Sequence, residues 1–435
     1  MNEKYKNKLL NKFTLKDYGS LLFLSGIFFL PSTLLIGLLL ILPSSIIGAF
    51  LQDKSFFKDR WNYPILTFGA LILLSAILQN YILLNPFEKI WDPKLSIVGL
   101  GNWLPFIWFF WGLQPYLNSK RDRVIFALAL VSGSFPVLIT GYGQYFFNWT
   151  GPFETLNGLI IWYQRPVETP GGLSGLFSNQ NYAGTWLNII WPFCIVLFME
   201  TRNSFFKKII SFGFLISVGF AAFLTFSRNA WLGLLTSSLI VSEKKRTLLS
   251  ICGIALLLIL IFLFSQFFSG FLQDSMKNIL PEKIYLEFSK EGYVGLDVTR
   301  TEIFLSAIQV IKNNPIFGIG AASFPEIFNF QTGFWKGHSH NLLLELAISY
   351  GLPATIIIFV TFFLIVISSG KIIFLQKNEI TSPLDKALWT SLFFFLISQL
   401  WDIQYFDGKI STVIWVLIAA LKKTIDSKNK SILRS

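Results

Sequence analysis

Apolar residues run through the chain in long blocks that are separated by short polar stretches. Each block is close to the roughly 20 residues that an α-helix needs to cross a hydrocarbon core about 30 Å thick. The pattern therefore predicts an all-α polytopic membrane protein with about twelve transmembrane helices. The predicted spans are 19–30, 33–51, 64–84, 97–116, 124–146, 181–200, 209–226, 229–242, 247–268, 340–369, 387–405 and 410–421.

Composition supports this class. Hydrophobic residues make up 53% of the 435 residues and charged residues 14%, whereas a soluble domain carries about 25% charged residues. The first 18 residues are basic, as in a signal peptide, but the next apolar run is too long and lacks a small-residue cleavage site, so we expect a retained helix. Cys194 and Cys252 lie in distant apolar blocks and are expected to be core residues.

The net charge of +12 raises the question of a nucleic-acid partner, but basic residues in membrane proteins gather in cytoplasmic loops. With the N-terminus inside and the loops alternating, most of the 36 Lys and Arg residues fall in predicted inside loops. Each of these loops has at least three. We therefore expect a multi-pass protein of the cytoplasmic membrane, with both termini cytoplasmic, contacts with membrane lipids and no nucleic-acid partner.

Two long segments, 147–180 and 269–337, fall on the outer side. They divide the chain into helices one to nine with the first outer loop (1–268), a large periplasmic loop (269–337), and helices ten to twelve with a cytoplasmic tail (338–435). The second loop is long enough for structure of its own.

Within that loop, apolar residues at helical spacing predict an amphipathic helix over 298–313. Thr299 or Asp297 would cap its start, and the Asn-Asn-Pro at 313–315 would end it. We expect the helix to lie on the membrane surface with its apolar face down. The Gly-rich stretch at 318–324 is expected to be a flexible turn.

Three basic or titratable side chains on the predicted outer side are candidates for chemistry. Arg228 lies at the junction of two apolar blocks, where a guanidinium is costly unless it has a partner or a task; snorkelling to the interface is the alternative. Arg300, taken alone, would be an ordinary solvated charge. His340 begins a span, where it would be a polar cap, although Asn341 beside it would suffice for that.

Taken together, two arginines and a histidine suit the handling of phosphate. Arginine binds phosphate oxygens through two parallel bonds and keeps its charge, and histidine can take a proton near neutral pH. Because no ATP is available outside the cell, the substrate must carry its own activated bond, as a lipid-linked sugar pyrophosphate does. The arginines would neutralise the departing pyrophosphate and the imidazole would activate a hydroxyl.

Other polar residues are weaker candidates for substrate binding. Glu345 lies inside an apolar block, where a carboxylate is costly and is functional by default, or else pairs with a buried arginine. Asp402 and Asp407 flank the outer end of span eleven and could approach the acceptor. Arg165 lies in the first outer loop and could line a glycan path.

His338 and His340, the only two histidines, raise the question of a metal site. On a helix, residues two apart point about 200° apart and share no face, whereas on an extended segment they could chelate an ion. Because no cysteine or acidic cluster accompanies them, we expect no metal and no cofactor.

At these residues the sequence resembles the O-antigen ligase and polymerase family. The family's ligase pattern is His, then Asn, Ser or Gln, then nine residues and Gly, and it is matched by His340, Asn341 and Gly351. Ala354 departs from the Gly, Thr or Tyr expected there. A Ser-Arg pair that opens a helix is similarly matched by Ser227 and Arg228.

Two further stretches are similar to the family. Arg300 is followed by Asn-Pro-Ile-Phe-Gly-Ile-Gly-Ala-Ala-Ser-Phe at 314–324, and Phe-Ser-Asn-Gln-Asn-Tyr-Ala-Gly stands at 177–184. The resemblance covers most of the chain and is strongest from about 223 to 355. Each motif alone is short, but their order on one predicted membrane face makes the match fairly specific.

The resemblance implies a metal-independent membrane glycosyltransferase of GT-C-like architecture with a periplasmic active site. Arg228 and Arg300 would bind the diphosphate of an undecaprenyl-pyrophosphate-linked glycan. His340 would act on the hydroxyl of a lipid or glycan acceptor, such as lipid A-core, or orient it.

Four functions remain open at this point. The His-Asn-x9-Gly match favours a ligase of lipopolysaccharide biosynthesis over a glycan polymerase or a protein O-oligosaccharyltransferase of the same family. A solute transporter, for example of inorganic carbon, also has twelve spans with both ends inside. Transporters place their sites at the bilayer midplane and show internal repeats, whereas here the charges lie at helix ends and no repeat is evident.

Overall fold

The computed structural model of the chain is mainly helical in the residues that it describes. It describes residues 14–52, 55–81, 89–167, 171–201, 204–241, 298–375 and 382–432. The α-helices are α1 (Leu15–Phe29), α2 (Leu34–Phe50), α3 (Asn62–Tyr81), α4 (Leu95–Gly99), α5 (Leu104–Gly112), α6 (Lys120–Gly133), α7 (Phe135–Phe147), α8 (Gln180–Glu200), α9 (Phe205–Leu224), α10 (Arg228–Val241), α11 (Arg300–Asn313), α12 (Phe324–Thr332), α13 (Leu342–Tyr350), α14 (Leu352–Gly370), α15 (Pro383–Ser398) and α16 (Gly408–Ile432).

Shorter elements complete the described chain. Strands β1 (Phe153–Thr155) and β2 (Ile160–Trp162) form an antiparallel hairpin in which Glu154 lies opposite Ile161. The sequence patterns did not predict this hairpin. Single turns of 3-10 helix lie at Phe56–Lys58, Leu100–Asn102 and Gln114–Leu117, and a π-helical turn lies at Lys371–Leu375.

The predicted spans agree with the described helices in position. Eleven of the twelve blocks contain a helix, and the ninth, 247–268, lies outside the described residues. In the described part of the chain, six helical segments are long and apolar enough to cross a membrane, as expected of a polytopic membrane protein. They are Asn62–Tyr81, Leu95–Gly112, Lys120–Phe147, Gln180–Glu200, Phe205–Leu224 and Leu352–Leu375. The number twelve and the glycosyltransferase architecture stay predictions.

The chain forms two compact units. The first consists of Met1–Phe135, Ser306–Trp389 and Tyr405–Ser435; the second consists of Pro136–Leu305 and Thr390–Gln404.

In the first unit, α1 and α2 form a hairpin, as the two separate predicted spans require. The two helices pack closely because Gly26 has no side chain: a Cβ there would lie 2.6 Å from Cγ1 of Ile41. The hydroxyl of Ser44 donates to the carbonyl of Gly19 at 2.8 Å. Thr33 begins α2 by accepting the amide hydrogen of Ile36.

Two buried cations of the first unit are paired with carboxylates, which limits the cost of removing them from water. The buried guanidinium of Arg123 donates from Nε to Asp385 at 2.6 Å. Lys422, also buried, contacts the carboxylates of Asp59 and Asp426. These pairs join α6 to α15, and α16 to the loop before α3.

In the second unit, α8 packs against α10 through small residues and amides. A Cβ on Gly233 would lie 2.2 Å from the side-chain nitrogen of Asn188, and that nitrogen donates to the carbonyl of Asn229 at 2.9 Å. The indole of Trp191 donates to the carbonyl of Leu234 at 3.1 Å. These contacts hold the first turns of α10, where Arg228 stands.

Candidate active site

His340 lies in a tight turn immediately before α13. The helix is capped by Asn341, whose side-chain oxygen accepts the amide hydrogen of Leu344 at 3.1 Å. His340 itself has a φ of +54°, in the left-handed region that residues with a Cβ rarely adopt. Such a conformation persists only where neighbouring contacts determine it, and it is common at functional sites.

His338 contacts His340 through both its ring and its backbone. Nδ1 of His338 accepts the amide hydrogen of His340 at 3.1 Å, and the two ring centroids lie 4.4 Å apart in an edge-to-face arrangement. The pair therefore follows the non-helical alternative that the sequence left open, in which the two rings lie side by side. That the site works without a metal stays a prediction.

Glu345 faces the same turn from inside α13. Its side chain is only 4% exposed, and its Oε2 accepts the amide hydrogen of Ser339 at 2.9 Å. The hydroxyl of Ser339 donates to the carbonyl of Asn341 at 3.1 Å. The carboxylate thus binds the backbone one residue before His340, which accounts for a carboxylate in an apolar block.

Gly351 divides the predicted span 340–369 into α13 and α14, so the expectation of one continuous helix is wrong. Its φ is +87°, and a Cβ there would lie 2.0 Å from the carbonyl oxygen of Ile316. The next amide, that of Leu352, donates to the carbonyl of Pro315 at 2.8 Å. The motif glycine therefore allows both a break and a close backbone approach.

The Gly-rich stretch at 318–324 packs against α13 and is not the flexible turn that was expected. The amide of Ile319 donates to the carbonyl of Ile348 at 2.7 Å. The indole of Trp91 donates to the carbonyl of Ala321 at 3.1 Å. Two stretches of the family resemblance, one before and one after residue 340, thus form a single packed structure.

The turn before Arg228 is also strained and packed. Phe226 has a φ of +50°, and the amide of Ser227 donates to the hydroxyl of Thr225 at 3.2 Å. The ring of Phe226 is buried, and Trp231 packs edge-on against it. Arg228 is half-buried and is the first residue of α10, as the sequence predicts.

The first outer segment contacts the same turn. The amide of Leu173 donates to the carbonyl of Leu224 at 2.9 Å, and a Cβ on Gly172 would lie 2.0 Å from the carbonyl oxygen of Thr225. These contacts fix the backbone that leads into Arg228.

Arg300 is the exposed first residue of α11. The carboxylate of Glu302 accepts hydrogen bonds from the amide and hydroxyl of Thr299 at 2.7 and 2.9 Å, which lowers the pKa of Glu302. Thr299 is therefore the predicted cap, whereas Asp297 lies outside the described residues. The helix ends at Asn313, as predicted.

Part of the apolar stripe of α11 packs against protein, and the placement of this helix on the membrane surface stays a prediction. Ile303, Ala307 and Ile311 are buried within the protein. Phe304, which belongs to the predicted stripe, and Leu305 are exposed.

Arg165 is exposed, and its carbonyl accepts a hydrogen bond from Nε2 of Gln144 at 2.8 Å. Oε1 of Gln144 also accepts the amide hydrogens of Ser174 and Gly175 at 2.8 and 2.9 Å. Gln144 thus holds the Arg165 backbone. The sequence signal that could have identified it is a lone glutamine in an apolar block.

Asp402 is buried, and its Oδ2 accepts a hydrogen bond from the side-chain amide of Asn181 at 3.0 Å. Asn181 belongs to the stretch at 177–184 that is similar to the family. Asp402 and this stretch are therefore joined in the second unit.

The candidates are divided between the two units. His340, Asn341 and Glu345 share one turn of the first unit. The remaining candidates belong to the second unit; they are Arg165, Arg228, Arg300 and Asp402.

Residues 212–359 match the family model described as O-Antigen ligase. This region of the chain is therefore similar to the O-antigen ligase family. The family implies a membrane context, lipid-linked glycan substrates and a glycosyltransferase-like ligase activity. Comparison with curated proteins gave no match.

The matched region includes Arg228, Arg300 and His340, together with the turn partner Glu345. It also includes Gly351, whose role in the fold is now clear. The other candidate site residues, Arg165 and Asp402, lie outside the match.

Proposed function

We propose that this protein acts as an O-antigen ligase family member. It would transfer a glycan from an undecaprenyl-pyrophosphate carrier to a hydroxyl acceptor on the periplasmic face of the cytoplasmic membrane. One observation carries the proposal: the family match contains two arginines at helix starts and a histidine in a strained, hydrogen-bonded turn. The acceptor is lipid A-core or a similar lipid. The polypeptide crosses the membrane twelve times with both termini in the cytoplasm.

In the proposed step, the acceptor oxygen attacks the anomeric carbon of the donor sugar. The new glycosidic C–O bond forms as the bond from that carbon to the pyrophosphate oxygen breaks. The acceptor proton passes to the imidazole of His340. The carrier pyrophosphate leaves with its negative charge stabilised by Arg228 and Arg300.

The two arginines suit this role for different reasons. Arg228 is half-buried on a packed turn, so its guanidinium is less screened by water and binds an anion more strongly. Arg300 is exposed at the N-terminus of α11, where the helix dipole adds positive potential.

The remaining candidates have supporting roles in the proposal. Arg165 lines the path of the glycan, and Asn341 and Asp402 contribute polar contacts to the substrate. Glu345 acts through the turn that carries His340, because its carboxylate accepts the Ser339 amide hydrogen. No metal takes part in the proposed step.

The proposal is tested in a strain that lacks the gene and is complemented with variants. We expect Arg228→Ala, Arg300→Ala and His340→Ala to reach the membrane but to lose attached surface glycan, while lipid-linked glycan accumulates. Arg121→Ala is the matched control, because Arg121 is an exposed arginine of α6. Normal surface glycan in the three variants would refute the proposed roles.

The same electrophoretic profile separates the related activities. A ligase deletion leaves long glycan on the lipid carrier, whereas a polymerase deletion leaves glycan of a single repeat on the acceptor. A transporter deletion changes solute uptake and leaves the glycan profile untouched.

A further inference from the structure

We propose that His338 is a positioning residue, which holds His340 in its left-handed conformation through a side-chain to backbone hydrogen bond. This inference rests on the proposed role of His340. It gives a function to the second of the only two histidines in the chain.

The contact has a defined direction. The amide of His340 donates to Nδ1 of His338 at 3.1 Å, so Nδ1 carries no proton and the proton of the neutral ring lies on Nε2. This arrangement is the imidazole counterpart of an Asx turn, in which an Asn or Asp side-chain oxygen accepts the amide hydrogen two residues later.

The neighbouring contacts show why this hydrogen bond matters. The amide of Ser339 is bound by Glu345 at 2.9 Å, and Asn341 begins α13 as its cap. The backbone is therefore fixed on either side of His340. The hydrogen bond to His338 fixes the amide of His340 itself, whose φ of +54° would otherwise relax toward negative values.

The side chains add a second constraint. The His338 ring packs edge-to-face against the His340 ring, with centroids 4.4 Å apart and planes at 67°. A non-aromatic substitution at His338 removes this ring contact, but only some of these substitutions remove the acceptor at the Nδ1 position. That difference separates a role of the Nδ1 acceptor in positioning His340 from a role of the imidazole ring itself.

The test compares three variants in the complemented deletion strain. In His338→Asn, Oδ1 occupies the place of Nδ1, because both atoms are bonded to Cγ. In His338→Gln, the amide reaches the position of Nε2 and leaves the Nδ1 position empty. His338→Ala lacks both. The measured quantity is the rate at which attached glycan appears after induction, divided by the amount of each variant in the membrane.

We expect His338→Ala and His338→Gln to lower this rate by about 10- to 100-fold, the effect of misplacing a reacting group by about 1 Å. We expect His338→Asn to keep most of the wild-type rate. If all three variants fail equally, the imidazole itself is needed and positioning is refuted; if all three work, His338 has no role.

His340→Ala, measured in parallel, separates the two proposals. If His340→Ala transfers glycan normally, the proposed function of His340 is wrong, whatever the His338 variants do. If His340→Ala is inactive while His338→Ala and His338→Gln are fully active, only the positioning role is wrong. Asn and Gln have similar polarity, so the two variants are matched controls for each other. A folding defect common to both would appear as a lower amount of both variants in the membrane.

Discussion

The turns before Arg228 and around His340 both contain a residue with positive φ, but they place the strain differently. In the first, the strained residue is Phe226, whose ring is buried while Arg228 follows two positions later. In the second, the strained residue is His340 itself. Packing holds the first turn, and hydrogen bonds from backbone amides to the side chains of His338 and Glu345 hold the second.

This difference shows two ways of presenting a polar group at a helix start. A buried aromatic ring fixes the Arg228 turn, and that ring is also part of the protein core. Substitutions there should therefore lower stability and function together. The His340 turn is held by polar contacts at the residue that we propose to react. Function should therefore be lost at His340 even where stability is preserved.

The largest effect is expected from Gly351→Ala, which acts on the break behind the His340 turn. The new Cβ would lie 2.0 Å from the Ile316 carbonyl oxygen at a φ of +87°. We expect a loss of about 2–5 kcal/mol in the free energy of unfolding. Thermal unfolding in detergent measures it.

The matched control is Gly213→Ala, in the middle of α9, where nothing lies within 4 Å of an added Cβ. Alanine has a higher helix propensity than glycine, so this variant should gain up to about 1 kcal/mol. Equal melting temperatures for the two variants would mean that the break at Gly351 is not strained.

An intermediate effect is expected from glycine and alanine substitutions at the two strained residues. Glycine adopts the left-handed conformation without strain and alanine does not. The free energy of unfolding of His340→Gly and of Phe226→Gly should therefore each be about 1 kcal/mol higher than that of the matching alanine variant. Thermal unfolding and glycan transfer are measured for all four.

The two positions should differ in activity. His340→Gly and His340→Ala should both lose transfer, because the imidazole is gone. At position 226, transfer should follow the amount of folded protein, since the lost ring contributes about 1.5–3 kcal/mol of burial. Transfer by His340→Gly at the wild-type rate would contradict the proposed role of the imidazole.

The smallest effect is expected at the exposed start of α11. The pKa of Glu302 is lowered because its carboxylate accepts two hydrogen bonds from Thr299. Its contribution to stability is therefore present above the unfolded-state pKa of about 4.3 and is lost as the pH falls through the lower folded-state value.

We expect Glu302→Gln to remove that pH-dependent difference and to leave transfer near the wild-type rate at neutral pH. The measurement is the difference between wild-type and Glu302→Gln melting temperatures from about pH 6 to pH 3. A difference that does not change with pH would show that the carboxylate does not stabilise the helix start.

Local sequence signals predicted several features correctly. Apolar blocks located the described helices because burial in a helix needs a long run of apolar side chains. The Thr299 cap, the end of α11 at Asn313 and the start of α10 at Arg228 also follow from residues next to each other in the chain. The family resemblance, based on short motifs, is confirmed by the match at 212–359.

Long-range contacts decided the rest. Gly351 breaks a continuous apolar run at a point where the Ile316 carbonyl approaches it closely. Hydropathy depends only on residue type along the chain and cannot predict such an approach. Ile303, Ala307 and Ile311 of the α11 stripe are buried by protein, and a protein interior and a lipid surface select the same apolar residues. The sequence by itself determined which segments are helical and which residues form the motifs.

Tertiary structure alone decided the backbone conformation of His340 and the partners of His338 and Glu345. The physical reason is that a positive φ at a residue with a Cβ is unfavourable locally. Only contacts from the surrounding fold can stabilise it, and those contacts depend on where α13 begins and where Gly351 lets it end.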